Sequence, residues 1–208
     1  MIDYFTSALV TLLVTVDPPG LAPLFLGVTP GMSGAERRQV AIRAVIIAFA
    51  IMAASGLVGA QLLGALGIGL PAFRTAGGLL LFWIAFEMVF GRRNDRKSEQ
   101  ATTAITIDHI RNVAAFPLAI PLMAGPGALT ATILLAGRAE GDLLRLAVLM
   151  AVIAGVMLSC LLVFLAAGRI SGWLGVTGNV VLTRLLGVIL AALAVQFVAD
   201  GVRAMVAG

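Results

Sequence analysis

Asp17-Pro18-Pro19-Gly20 and Ala124-Gly125-Pro126-Gly127 are the residues whose types and spacing point to chemistry. Each string interrupts a long apolar segment. From Met1 to Gly34 the only charges are Asp3 and Asp17, and Asn112 to Gly137 carries none. Proline and glycine end helices, and a helix broken inside lipid must satisfy its freed backbone groups against protein, water or a ligand. Asp17-Pro18 reads as an N-cap followed by proline at the first helical position, and Gly125-Pro126 as the same device with glycine as cap. Each second half-helix then starts near the bilayer centre, with about half a positive charge and free N–H groups at its N-terminus. Such ends favour a carboxylate or similar anion, while Asp17 could hold a cation or an ammonium group. Two positive helix ends beside one carboxylate suit a zwitterion.

Composition supplies the helices that must hold these breaks. The chain has 208 residues, 61% hydrophobic and 12% charged, with mean hydropathy +1.09. A soluble domain is about 25% charged, so this one could not cover a water-facing surface. Spans need about 20 apolar residues. Ala44 to Ala65, Asn112 to Gly137 and Leu146 to Gly168 are charge-free, whereas Tyr4 to Leu26, Leu70 to Phe90 and Val180 to Val206 hold a few charges. The expected fold is therefore all-α and polytopic, with six transmembrane helices in a single transmembrane domain over 1–208. The N-terminus lacks the basic region of a cleaved signal peptide, so the first span is expected to stay. The pI near 10.6 reflects basic residues flanking spans, and no nucleic-acid partner is implied. Alternate loops and helix ends place Arg37, Arg38, Arg43, Arg92, Arg93, Arg96, Lys97, Arg111, Arg169 and Arg184 on one side. Arg74, Arg138, Arg145 and Arg203 fall on the other. The larger set belongs in the cytoplasm, which puts both termini outside.

The chain also matches itself at a nearly constant offset. Gly20 pairs with Gly127, Pro19 with Pro126, Arg38 with Arg145, Gly64 with Gly172, Arg74 with Arg184, and Gly77 with Gly187. Three spans per half is an odd number, so the halves are expected as inverted repeats, about 1–90 and 112–208, with helices 1 and 4 broken. A link of about 91–111 joins them, and its Arg92-Arg93-Asn94-Asp95-Arg96-Lys97 run reads as a solvated cytoplasmic loop.

Other polar residues read more plainly. Glu87 is expected to pair with Arg92 or Arg93 or to snorkel, and Arg74 and Arg184 to anchor at headgroups. Thr130, Thr132 and Gln196 could reach a cavity, although such residues usually bond to backbone or a neighbouring helix. Gly77-Gly78 and Gly187 read as sites of close helix packing. Cys160 is the one cysteine, which excludes an intramolecular disulfide. The single histidine, His109, lies in the link. That leaves no buried Ser–His pair, and Asp17 has no second deep carboxylate for metal or acid–base work. Neither catalytic residues nor a resident metal or cofactor are expected.

Several strings bring a family to mind. Asp17-Pro18-Pro19-Gly20 with Pro23 and Phe25, Arg74-Thr75-Ala76-Gly77-Gly78, and Arg184-Leu185-Leu186-Gly187 with Val195-Gln196-Phe197 resemble the MarC family. So does Phe116-Pro117-Leu118-Ala119-Ile120-Pro121 leading to Ala124-Gly125-Pro126-Gly127. The resemblance covers essentially the whole chain. It implies a six-span protein of a bacterial or archaeal inner membrane, in a family similar to the lysine-exporter superfamily with some members known as small neutral amino-acid transporters. Leu21 departs from it, since relatives often carry asparagine there. The combined expectation is a secondary transporter of a small zwitterion such as alanine, glycine or serine. Export is one direction, and the coupling ion (H⁺ or Na⁺) and oligomeric state stay open. The expected substrate-binding residues are Asp17, Pro18, Gly20, Pro23, Gly125, Pro126, Gly127 and Thr130. With no Walker-type motif, ATP does not drive it directly. A membrane channel is the alternative, with an intramembrane enzyme behind it.

Overall fold

Every element among the described residues is helical. The computed structural model describes residues 1–93, 96–98, 113–139 and 141–207, with the side chains of 168–177 and 179 excepted. In chain order the helices are α1 (Ile2–Val16), α2 (Pro18–Val28), α3 (Gly34–Ala65), α4 (Leu70–Val89), α5 (Ala114–Met123), α6 (Pro126–Gly137), α7 (Leu143–Leu165) and α8 (Ala167–Ala207). Five stretches are long and apolar enough to cross a membrane: Ile2–Val28, Gly34–Ala65, Leu70–Val89, Leu143–Leu165 and Val180–Ala207. The pair α5 and α6, bent by 60°, makes a sixth if counted as one span. Most of the expected link, including Asn94, Asp95, His109 and Arg111, lies outside the described residues.

Local chemistry sets the ends. Ser33 and Glu36 close a reciprocal capping box at α3, with Ser33 N–H donating to Glu36 Oε2 at 2.7 Å. Gly67, at φ 70°, ends α3 as its N–H and that of Ile68 return to Gly64 and Leu63 carbonyls. Asp142 caps α7 by accepting from Leu144 and Arg145 N–H.

Small residues decide how closely the helices pack, as they do where lipid offers no hydrophobic drive for association. A Cβ on Gly78 would lie 2.9 Å from the Ala194 carbonyl, and one on Gly187 would lie 2.8 Å from Met88 Cβ. Their absence lets α4 run along α8, the close packing expected for these glycines. Gly56 and Gly59 do the same for α3 against Met150, Thr132 and Ile133. Phe25 of α2 stacks on Phe164 of α7 at 4.6 Å between centroids. Exposed Ile46, Leu57, Leu80, Leu158 and Val188 form the outward surface, which lipid would cover.

One element departs from expectation. The first half of the fourth span is a twice-bent segment rather than a regular half-helix, because Phe116 (φ −135°, ψ 122°) and Ile120 (φ −126°, ψ 127°) are extended. Each precedes a proline, whose ring pushes the preceding residue out of the helical region. α5 therefore cannot run straight into α6.

Candidate functional site

The first break follows from Pro18 and Pro19. In a regular helix Val14, Thr15 and Val16 carbonyls would accept from residues 18, 19 and 20. The two prolines have no N–H, and the Gly20 N–H turns to Asp17 Oδ1 at 3.3 Å. Asp17, preceding a proline, takes a left-handed conformation (φ 60°, ψ 65°), the only non-glycine residue with positive φ among the described residues. Asp17 is fully buried. A Cβ on Gly20 would overlap its carboxylate, so glycine is required beside it.

Two of the three orphaned carbonyls are filled from an unexpected quarter. Gly91, at φ 79°, follows α4 and turns the chain back on itself. Arg93 and Lys97 then reach the break: Arg93 Nη2 donates to the Thr15 carbonyl and Lys97 Nζ to the Val16 carbonyl at 3.3 Å. Arg93 Nη1 also meets Met88 Sδ at 2.8 Å, and Lys97 Nζ stands 3.9 Å from Asp17 Oδ2. Both cations are 7% exposed. The expectation of a solvated loop fails for these two residues, because the double proline demands donors that nothing nearer supplies.

Glu87 completes the charged wall. Its Oε1 accepts from Arg96 Nη1 at 2.8 Å and Trp83 Nε1 at 3.1 Å, while its buried Oε2 has no partner among the described residues. Arg96, rather than Arg92 or Arg93, is the ion-pair partner, because the turn after Gly91 points Arg93 inward.

The second break meets this wall across a cavity. Gly125 is the N-cap of α6 and Pro126 its first residue, with no side chain accepting from the first turn. The cavity gives about 50 Å³ to water centres and is lined by Thr15, Glu87, Arg93, Arg96 and Lys97 on one side and by Gly125, Pro126, Gly127 and Ala128 on the other. One water needs roughly 10–15 Å³ by such a measure, so the space suits a few waters or a very small solute. Gly127 is part of this lining, and a Cβ there would overlap Ile84 Cδ1 and lie 3.3 Å from Thr15 Cγ2.

A match to the family model described as MarC family integral membrane protein runs over residues 2–206. The chain belongs to the MarC family. The UPF0056 membrane protein of Archaeoglobus fulgidus is 34% identical over 202 residues, covering 96% of this chain and 92% of its own. A UPF0056 membrane protein of Methanocaldococcus jannaschii is 36% identical, covering 97% of each chain, and one of Escherichia coli is 32% identical, covering 95% and 91%. No solved structure matches.

In this MarC protein the cavity gathers Gly125, Pro126 and Gly127 from the expected set. Asp17, Pro18 and Gly20 lie behind it, buried at the break that Thr15 and Lys97 connect to the space. Pro23 is exposed on the outer face of α2, and Thr130 packs on Gly77 of α4, both outside the lining. Thr132 donates to the Ala128 carbonyl and Gln196 to Asp200, the ordinary roles for such groups. Sequence reasoning missed Arg93 and Lys97. Their signal was available: two consecutive prolines after a helix leave carbonyls that need outside donors.

Proposed function

We propose that this MarC protein is a secondary transporter of small neutral amino acids such as alanine, glycine or serine, with its substrate site at the cavity between the two breaks. One observation carries the reading: a space for a very small solute is bounded by the α6 N-terminus and by buried groups of both charge signs. Such a space is the polar, membrane-deep feature expected of a transport site. Six spans in two inverted repeats belong to the same proposal. Its support is that corresponding helices pack on each other, α3 on α7 and α4 on α8, and that the breaks fall at matching positions.

Purified protein in liposomes, given labelled alanine, glycine and serine under imposed H⁺ or Na⁺ gradients, tests the function. Saturable uptake driven by one gradient is expected. Conductance without saturation would replace the transporter by a channel.

Topology supplies a second test. Taking buried Arg93 and Lys97 from the ten cytoplasmic basic residues leaves eight against four, so the asymmetry persists. A reporter fused after Gly91 should read cytoplasmic and one at Gly208 external. The reverse signals would overturn the orientation.

A further inference from the structure

We infer that Arg93 and Lys97, with the first turn of α6, hold the substrate carboxylate, and that Glu87 rather than Asp17 receives the substrate ammonium. The inference rests on the cavity being the substrate site. Three cations, Arg93, Arg96 and Lys97, line the space against one carboxylate, Glu87. Asp17 stands behind Lys97 and is not part of the lining: its Oδ1 accepts from Gly20 N–H, and its Oδ2, buried and without a hydrogen-bond partner among the described residues, lies 3.9 Å from Lys97 Nζ, so the lysine stands between it and the space. With Glu87 on Arg96 and Asp17 beside Lys97, buried Arg93 is the cation left without an ion-pair partner among the described residues, and an anion completes the wall, since a buried charge without compensation is costly. Opposite it, the α6 N-terminus has a glycine cap and no acidic side chain, so its first N–H groups are left for a ligand.

The second polar feature points the other way. Glu87 is 6% exposed and lines the cavity, and its Oε2 is buried with no hydrogen-bond partner among the described residues. A carboxylate oxygen in that condition lacks a donor, and an ammonium group provides one. Cationic wall, helix end and unpartnered acid share one small space, which fits the two charged groups of an α-amino acid. Arg93 is anchored from behind on Thr15 and Met88, and Lys97 on Val16 and Asp17. Both are therefore fixed in place for an incoming carboxylate.

Three probes separate the roles: alanine, lactate (carboxylate without ammonium) and alaninamide (ammonium without carboxylate). Binding is read as the rise in melting temperature of purified protein, and competition as inhibition of labelled alanine uptake. Alanine should stabilise most, lactate less and alaninamide little. Arg93→Gln should lose most of the shift with alanine and lactate alike. Glu87→Gln, which keeps a group for Trp83 to bond, should reduce alanine to the level of lactate and leave lactate unchanged. A merely structural role for Glu87 would not split the two ligands. Alaninamide matching alanine, or lactate binding Arg93→Gln as it binds wild type, overturns the assignment. Should Arg93→Gln fail to fold, the wild-type ligand order and Arg93→Lys still decide it. Stabilisation in the expected order without alanine uptake would keep the site and discard the transport reading, whereas saturable uptake with no carboxylate preference would do the opposite.

Discussion

Asp17→Ala should leave the protein far less stable, and adding Lys97→Met to the same chain should recover much of the loss. The single change strands a buried ammonium beside one carbonyl, and removing one partner of a buried pair costs about 3–5 kcal/mol. It also frees the Gly20 N–H and asks alanine to hold φ 60°, a region it disfavours. The double variant removes the stranded charge and keeps only the smaller penalties. Asp17→Asn separates charge from geometry, because asparagine caps helices and tolerates the left-handed region. It should fold, with Lys97 loosened and transport strongly reduced. Melting temperatures and uptake of the three variants check this. An Asp17→Ala protein as stable as wild type would reduce the pair to proximity without consequence.

Gly127→Val should abolish uptake with only modest loss of stability. Its Cβ would overlap Ile84 Cδ1, the movable end of a side chain, so packing can adjust at about 1–3 kcal/mol. The space beside it cannot be recovered, since the whole cavity offers about 50 Å³ to water centres. Gly127→Ala should be milder and discriminate most against serine relative to glycine. Gly20 is the corresponding position in the other half, yet a Cβ there meets the Asp17 carboxylate. Moving that carboxylate would disturb both Gly20 N–H and Lys97, so Gly20→Ala should already lose stability as well as transport. Uptake by each variant, normalised to protein in the membrane, reads the difference. Normal transport by both Gly127→Val and Gly20→Ala would make the breaks simple bends.

The frame was legible because lipid imposes simple demands. The charge-free runs located the spans, and Asp17-Pro18 and Gly125-Pro126 located the starts of α2 and α6 to the residue. Glycine pairs on α4 and α8 were readable as close-packing points for the same reason. The irregularity of α5 was also encoded, in Phe116-Pro117 and Ile120-Pro121, but each X-Pro constraint is local and its effect on a whole span depends on both acting together. The charged wall was the part least visible. A run rich in arginine and lysine next to a span ordinarily marks a cytoplasmic loop, and hydropathy carries no sign that Gly91 turns the chain back towards the break. What the sequence did contain was the need. Pro18 and Pro19 leave carbonyls without donors, and asking which cations could reach them would have brought Arg93 and Lys97 into view. Pro23 shows the converse. Its place near a functional string suggested a role, but a helix turns a residue five positions from Pro18 away from the face the break presents.

Substrate protection of a cysteine placed in the cavity tests the central claim most directly. Cys160 is the one native cysteine and is buried, so Cys160→Ser gives a clean background. Ala128, on the first turn of α6, lines the space and becomes the reporter as Ala128→Cys. Saturating alanine should slow modification of that thiol by a small methanethiosulfonate reagent several-fold, while alaninamide should not. A modification rate that is indifferent to alanine in a variant still transporting it would place the substrate elsewhere.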